Sequence, residues 1–282
     1  MPLTTIYADG TRVIGDATAI TQTLHPQVMN YLNRLRTNGF SATVTQINAL
    51  NNLVLTLVAN GIYSKLDFMY PVLGNTSTTA GLDFLNAYNL TFDGSWTFAS
   101  TGMKISAANS ANRARTGYNV NTAASINDMH MSVYVRDSSP TATVIFGCYS
   151  VVSSVAHFAQ INASTTAAFG NITLNSGTPV FSTGVTNSAG FHIANRSASN
   201  ASQYNLNGVQ NATGTGASTI KPNLEITLGS RRTNDANVPS GYDLPSTQEI
   251  AFASAGKSLT AIQQKMYYEA VQIYQTKLGR QV

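Results

Sequence analysis

A chain of 282 residues is long enough to bury a full core, and its composition is unusual: 43% hydrophobic but only 10% charged, where about 25% charged is ordinary for a soluble domain. The net charge is +4, yet no run of Lys or Arg exceeds two residues, so the concentrated basic face that nucleic-acid binding needs is missing. The single cysteine, Cys148, excludes an internal disulfide framework and a cysteine-based zinc site, and no apolar run nears the roughly 18 residues of a membrane span.

The deficit in charge is filled by Asn, Ser and Thr, roughly a third of the chain, against ordinary usage. Neutral hydrogen-bonding surfaces suit extended β-structure and packed assemblies, because a charge pressed into an interface must first be desolvated.

In chain order, "MPLTTIYADGTRVIGD" has neither the basic n-region nor the apolar h-region of a secretion signal, and Asp9-Gly10 predicts a hairpin between short β-prone runs. Pro26 opens a helix whose inner face is Val28, Tyr31, Leu32 and Leu35, closed by Gly39. A second helix follows, with Val44, Ile47, Leu50, Val54, Leu57 and Val58 on one face and Asn60-Gly61 as its stop; Leu53 and Leu55 widen the stripe, so it is covered on more than one side. "IYSKLDFMYPVLG" reads as a connector that plugs apolar side chains into a neighbouring body.

From about residue 80 the texture becomes short β-prone runs between Gly, Asn, Asp, Ser and Thr, the pattern of an antiparallel sandwich or jelly roll. "NLTFDGSWTFAS" reads as a hairpin around Asp93-Gly94 with Trp96 after the turn. "DMHMSVYVRD" alternates strictly, with Met129, Met131, Val133 and Val135 on one side and His130, Ser132, Tyr134 and Arg136 on the other. "QEIAFASAGKSLTAIQQ" alternates as a strand, breaks at Gly256-Lys257 and turns helical after Ser258-Leu259-Thr260. The last helix is expected over 260–278, its buried stripe Ile262, Met266, Ala270, Ile273/Tyr274 and Leu278.

The C-terminal run resembles the closing third of laminin-G-like, concanavalin-type jelly rolls at Asn207-Gly208, Leu228-Gly229, Arg231 and Leu259-Thr260. The block from "INALNNLVLTLVANGIYSK" through "YPVLG" to "LTFDGSW" is similar to a unit of tailed-phage structural proteins, carried by Gly61 to Lys65, Tyr70, Pro71, Gly74, Leu90 to Phe92, Gly94 and Trp96. The fold class implied is mainly β: a jelly-roll sandwich over 81–282, preceded by an arm and helix (1–40) and by a helix and connector (41–80).

Each chemical candidate has a plainer reading. Jelly-roll glycosidases use paired carboxylates at alternate positions of one strand; Glu249 has Ala251 and Ala253 there, and Glu225 has Thr227, so a structural role is favoured for both. The four histidines have no partner at ligand spacing. Laminin-G-like domains often bind calcium in rim loops, which makes "RRTNDANVPSGYD", with Asp235 and Asp243, the best local candidate for that ion; otherwise no cofactor is expected, and the plainer reading is an Asn/Asp-rich turn. Trp96 could stack on a sugar or simply pack.

The resemblance implies a non-enzymatic component of a phage particle, head or tail or fibre, found on the virion. It is anchored through residues 1–65 to other virion proteins and to itself as a trimer or dimer, with Val28, Leu32, Leu35, Leu53 and Leu55 at the contacts. The jelly roll displays a lectin-like surface for host-surface glycans, with Trp96, Arg231, Arg232, Asp235 and Asp243 as candidate ligand contacts. The alternative is a carbohydrate-binding module or glycoside hydrolase of the concanavalin-like class. No nucleic acid and no membrane insertion are expected.

Overall fold

The computed structural model describes residues 5–6, 12–13, 23–139, 143–162, 170–178, 180–182, 187–238 and 241–282. Strands β1 (Thr5–Ile6) and β2 (Arg12–Val13) pair antiparallel; the Asp9-Gly10 turn expected between them lies outside the described residues. Helix α1 (Pro26–Thr37) starts where the His25 ring accepts the Gln27 N–H, with Pro26 in its first turn, and Gly39 follows with φ 83°. Helix α2 (Val44–Ala59) opens on a reciprocal Thr43/Gln46 capping box. Strand β3 (Leu66–Tyr70) and the short helix α3 (Ser77–Ala80) follow.

The body is built from β4 (Thr91–Asp93), β5 (Trp96–Ala99), β6 (Gly102–Ile105) and β7 (Arg113–Asn119). After α4 (Val120–Ala123) come β8 (Met129–Val135), β9 (Phe146–Val152), β10 (Val155–Ile161), β11 (Gly170–Ser176) and β12 (Val180–Ser182). Next are β13 (Gly190–Ala198), β14 (Ala201–Leu206), β15 (Val209–Gly214), β16 (Glu225–Leu228), β17 (Arg231–Thr233) and β18 (Tyr242–Asp243). Strand β19 (Ile250–Gly256) and helix α5 (Ala261–Lys277) end the chain.

Two sheets face each other. One has eight described strands, ordered β15-β14-β13-β8-β19-β6-β5, with β3 also on β19; the other has nine, ordered β12-β11-β10-β9-β16-β7-β4, with β17 on β9 and β18 on β17. All pairings are antiparallel except β17 with β9. The expected mainly β sandwich with a C-terminal helix is what the chain forms. Its inner core takes Met129, Met131, Val133 and Val135 from β8 and Phe146, Cys148, Ala159, Ile161, Ile226 and Leu228 from the opposite sheet. Asn207 (φ 53°) and Gly208 (φ 76°) make the β14–β15 turn, since consecutive left-handed residues match the strand twist.

Three local expectations need correction. The Asp93-Gly94 turn is no hairpin: β4 pairs with β7 in one sheet and β5 with β6 in the other, so the turn is a crossover between layers. The segment read as a connector contains β3, which pairs with β19 from the far end of the chain. Such a pairing leaves no local trace in a run as apolar as "LDFMY".

The third concerns α5. Its inward residues are Gln264, Tyr267, Ala270, Val271, Tyr274 and Gln275, while Ile262 and Ile273 are 73% and 57% exposed. The cause lies in the sheet beneath, whose outer face is partly polar. Tyr267 meets Ser254 at 2.7 Å, and Ser254 meets Ser132 at 2.7 Å; Gln275 donates to the Ala251 carbonyl. Buried hydroxyls require partners, and tyrosines and glutamines supply them where isoleucines would not. Asn195 bridges both backbone groups of Leu259, which pins the turn from β19 into α5.

Helices α1, α2 and α5 seal the outer face of the eight-stranded sheet with a second core of Val28, Tyr31, Leu35, Leu50, Leu53, Leu57, Phe191, Phe252 and Tyr267, among others. Every residue of β8 and of β19 is therefore buried.

Candidate site on the outer face of the nine-stranded sheet

Among the described residues no helix seals the outer face of the nine-stranded sheet, and its strands alternate in burial, as β7 and β10 show. Tyr149 on β9 lies directly opposite Phe158 on β10; the rings stack with centroids 4.7 Å apart and an interplanar angle of 18°. Both are half-buried.

The 231–243 segment folds onto this face. The Arg231 guanidinium lies 4.6 Å from the Tyr149 ring centroid. It donates to Asp243 through two nitrogens, at 2.8 and 2.5 Å, and to the Gln160 side chain at 3.1 Å. A planar fork that satisfies a carboxylate bidentately while stacking on an aromatic is a use particular to arginine. Asn234 bridges to Val151 of β9, its carbonyl oxygen accepting the backbone N–H at 2.8 Å. Burial raises the Tyr149 phenol, and the Asp235 and Asp243 carboxylates push the same way against Arg231; Arg231 and its partner Asp243 are the expected loop residues that meet beside this tyrosine.

The other expected contacts are placed as follows. Arg232 lies 4.7 Å from the Tyr242 ring, which Arg113 also approaches at 3.8 Å. Arg113 and Arg115 share Asp93 at 3.0 and 2.8 Å. Asp235 accepts from the Asn237 backbone and side chain, both at 2.9 Å, so it caps its own turn. Asp243 is paired to Arg231, and among the described residues no group of three His, Cys, Asp or Glu could hold a metal ion.

Trp96 stands apart from this face. Its indole packs edge-on to Phe92 and donates to the Asp93 carbonyl, and it lies under the turn that launches β17, where a Cβ on Gly229 (φ 80°) would meet the ring at 2.9 Å. Trp96 is a packing residue that supports the site from below.

Of the five residues expected at intermolecular contacts, Val28, Leu35 and Leu53 are inside the chain's own helical core and Leu32 packs against it. Only Leu55, 37% exposed, is available. The amphipathic stripe was real, but its partner is the eight-stranded sheet and α5.

Glu249 is held by Arg136 at 2.7 Å and by the Thr101 hydroxyl at 2.6 Å, and Glu225 accepts the Gly117 N–H. The structural reading of both fits this geometry. The Cys148 thiol faces the core, where burial raises its pKa far above the ordinary thiol value. Sequence reasoning passed over Tyr149 and Phe158; the signal was the alternation of "IFGCYSV", which turns Phe146 and Cys148 inward and Tyr149 outward.

No family model and no curated protein matches the chain. Among solved structures, a Trypanosoma rangeli sialidase in complex with 2,3-difluorosialic acid is similar with a TM-score of 0.52 at 9% identity, over 73% of this chain and 32% of the sialidase. Domain 4 of AbnA, a GH43 arabinanase from Geobacillus stearothermophilus solved with arabinotriose, gives 0.46 at 15% identity over 72% of this chain and 98% of that domain. The botulinum neurotoxin serotype D binding domain gives 0.43 at 12% identity, over 73% and 51%. The chain spans about a third of the sialidase's length, and the likeness is one of β-sandwich fold.

Proposed function

We propose that this chain is a structural component of a tailed-phage particle, on head or tail, which displays a lectin-like β-sandwich for host-surface glycans. The observation that carries the glycan part is the half-buried Tyr149–Phe158 pair, held in fixed geometry by Arg231 and Asp243. A sugar ring lays its C–H face against the exposed side of this pair while its hydroxyls meet Asp243 and the exposed amide of Asn234. The face binds without turnover, since its carboxylates are committed to arginine or to their own turn. The particle part rests on the similarity of the block from Ile47 to Trp96 to phage structural proteins.

Attachment to other particle proteins, and dimer or trimer formation, use residues 1–65. With Val28, Leu35 and Leu53 internal, the apolar side chains offered there are Met29, Leu55 and Val58, which are 44%, 37% and 44% exposed.

A glycan array probed with the full chain and with Tyr149→Ala/Phe158→Ala tests the glycan part. Signal on a subset of host-surface glycans, lost in a variant that circular dichroism shows still folded at the assay temperature, is expected; no signal, or an undiminished one in the variant, refutes it. Mass spectrometry of purified particles tests the other part, which fails if the chain is absent from them.

A further inference from the structure

The fold has a concave feature on the helical side, remote in sequence from the aromatic face. It is a shallow cavity of about 410 Å³ lined by Gln27, Asn30, Asn33, Arg34, Leu85 and Asn86. The α1 residues lie at helical spacing on one face, spanning about 9 Å along the axis from Gln27 to Asn33.

The opposite wall is a loop built to hold still. The fully buried Asp83 carboxylate accepts four backbone N–H groups, from Met69 (2.9 Å), Leu85 (3.1 Å), Ala87 (2.8 Å) and Tyr88 (3.0 Å), while its own N–H goes to Asn89. Asn86 sits at φ 63°, a region that a non-glycine residue enters at a cost. Gln27 and Arg34 both donate to the Phe84 carbonyl, at 2.7 and 3.0 Å, which rivets the loop to α1.

What this arrangement leaves unpaired defines the ligand. The Arg34 guanidinium is committed to the Asp83 and Phe84 carbonyls and to the Asn86 side-chain oxygen, so an anion would have to displace bonds already made. No carboxylate lines the wall, so nothing draws a cation. The amides remain. Among the described residues the Asn86 and Asn33 oxygens accept from Arg34 and Arg36 while their NH2 groups have no partner, the Gln27 carbonyl oxygen has none, and Asn30 has no side-chain partner. Amide donors and acceptors therefore share the lining with the half-buried Leu85. That is the inventory which matches vicinal hydroxyls with a C–H face between them.

We infer that the cleft between α1 and the 83–89 loop is a binding site for a neutral saccharide unit, separate from the aromatic face. The site lies beside the helices assigned to attachment, so its ligand is engaged near the particle end of the chain. It stands whether or not the aromatic face binds glycan.

The test is NMR of the isotope-labelled full chain titrated with maltose, lactose and chitobiose at millimolar concentration. Side-chain NH2 signals of Asn30, Asn33 and Asn86 are expected to shift with at least one sugar. In Asn30→Ala/Asn86→Gly, which keeps the helix and suits the left-handed backbone, the Kd is expected to weaken about tenfold, the equivalent of one or two lost hydrogen bonds. The shifts persist in Tyr149→Ala/Phe158→Ala, which separates this site from the other face. No shift with any of the three sugars, shifts confined to residues 149–160, or full binding by the cleft variant overturns the inference.

Discussion

The two sheets of this sandwich are made from the same short alternating strands, yet one is sealed and the other is open. Around β8 and β19 both faces are buried, the inner by the sandwich core and the outer by α1, α2 and α5. Around β7, β9 and β10 the outer face alternates between buried and accessible and carries the stacked aromatics and paired arginines. The sealed face spends its polar groups on internal bonds, such as Ser132–Ser254–Tyr267 and Asn195–Leu259. The open face keeps its polar groups beside rings at the surface. Buried packing is concentrated on one side of the molecule, and accessible rings and ion pairs on the other.

The largest effect that sharpens this contrast is expected from the sealed side. Phe252→Ala deletes a ring packed edge-on to Phe191 and Tyr267 and should cost about 3–5 kcal/mol, measured by urea unfolding. Phe158→Ala on the open face should cost less than half as much. Equal costs would dissolve the distinction.

Acid comes next. His130 and His192, both fully buried in the eight-stranded sheet, have pKa values lowered by burial from 6.5 to about 4. Folded, they stay neutral, while the unfolded chain takes up their protons near 6.5. Stability is therefore fully present above that pH and is lost as pH falls toward 4, by roughly 3 kcal/mol for each group. Urea midpoints from pH 7.5 to 4.5 should drop, and His130→Asn should flatten the slope; a slope unchanged by that substitution counts against the burial argument.

Smaller again is Asp243→Asn, which removes the charge facing Arg231 at a partly exposed pair. About 1–2 kcal/mol of stability is expected to go, since the guanidinium keeps Gln160 and the Tyr149 ring. Glycan signal should fall with it. Least of all is Ile262→Ser on the exposed side of α5, expected within about 0.5 kcal/mol of the parent; a large loss there would mean the helix packs on its other face.

Much of this was legible in advance. Strict alternation in "DMHMSVYVRD" and the cap residues around Thr260 specified β8 and the strand-to-helix ending, because period and capping are local. What stayed hidden was non-local. The orientation of α5 depends on Ser254, whose own partner Ser132 lies 122 residues away in the chain, and β3 depends on a partner near the end of the chain. The candidate loop was found from Arg231, Asp235 and Asp243, whereas Tyr149 and Phe158 needed the β9–β10 register before they became a pair. Packing and sugar stacking both stayed open for Trp96, because a lone tryptophan after a turn reads the same whether the turn joins one sheet or crosses between two.

The most direct measurement of the one-sided seal is hydroxyl-radical footprinting of the intact chain, read residue by residue. Tyr149 and Phe158 should oxidise readily, while Tyr134, Phe252 and Tyr267 beneath the helices stay protected. Oxidation of Phe252 or Tyr267 as fast as that of Tyr149 would contradict it.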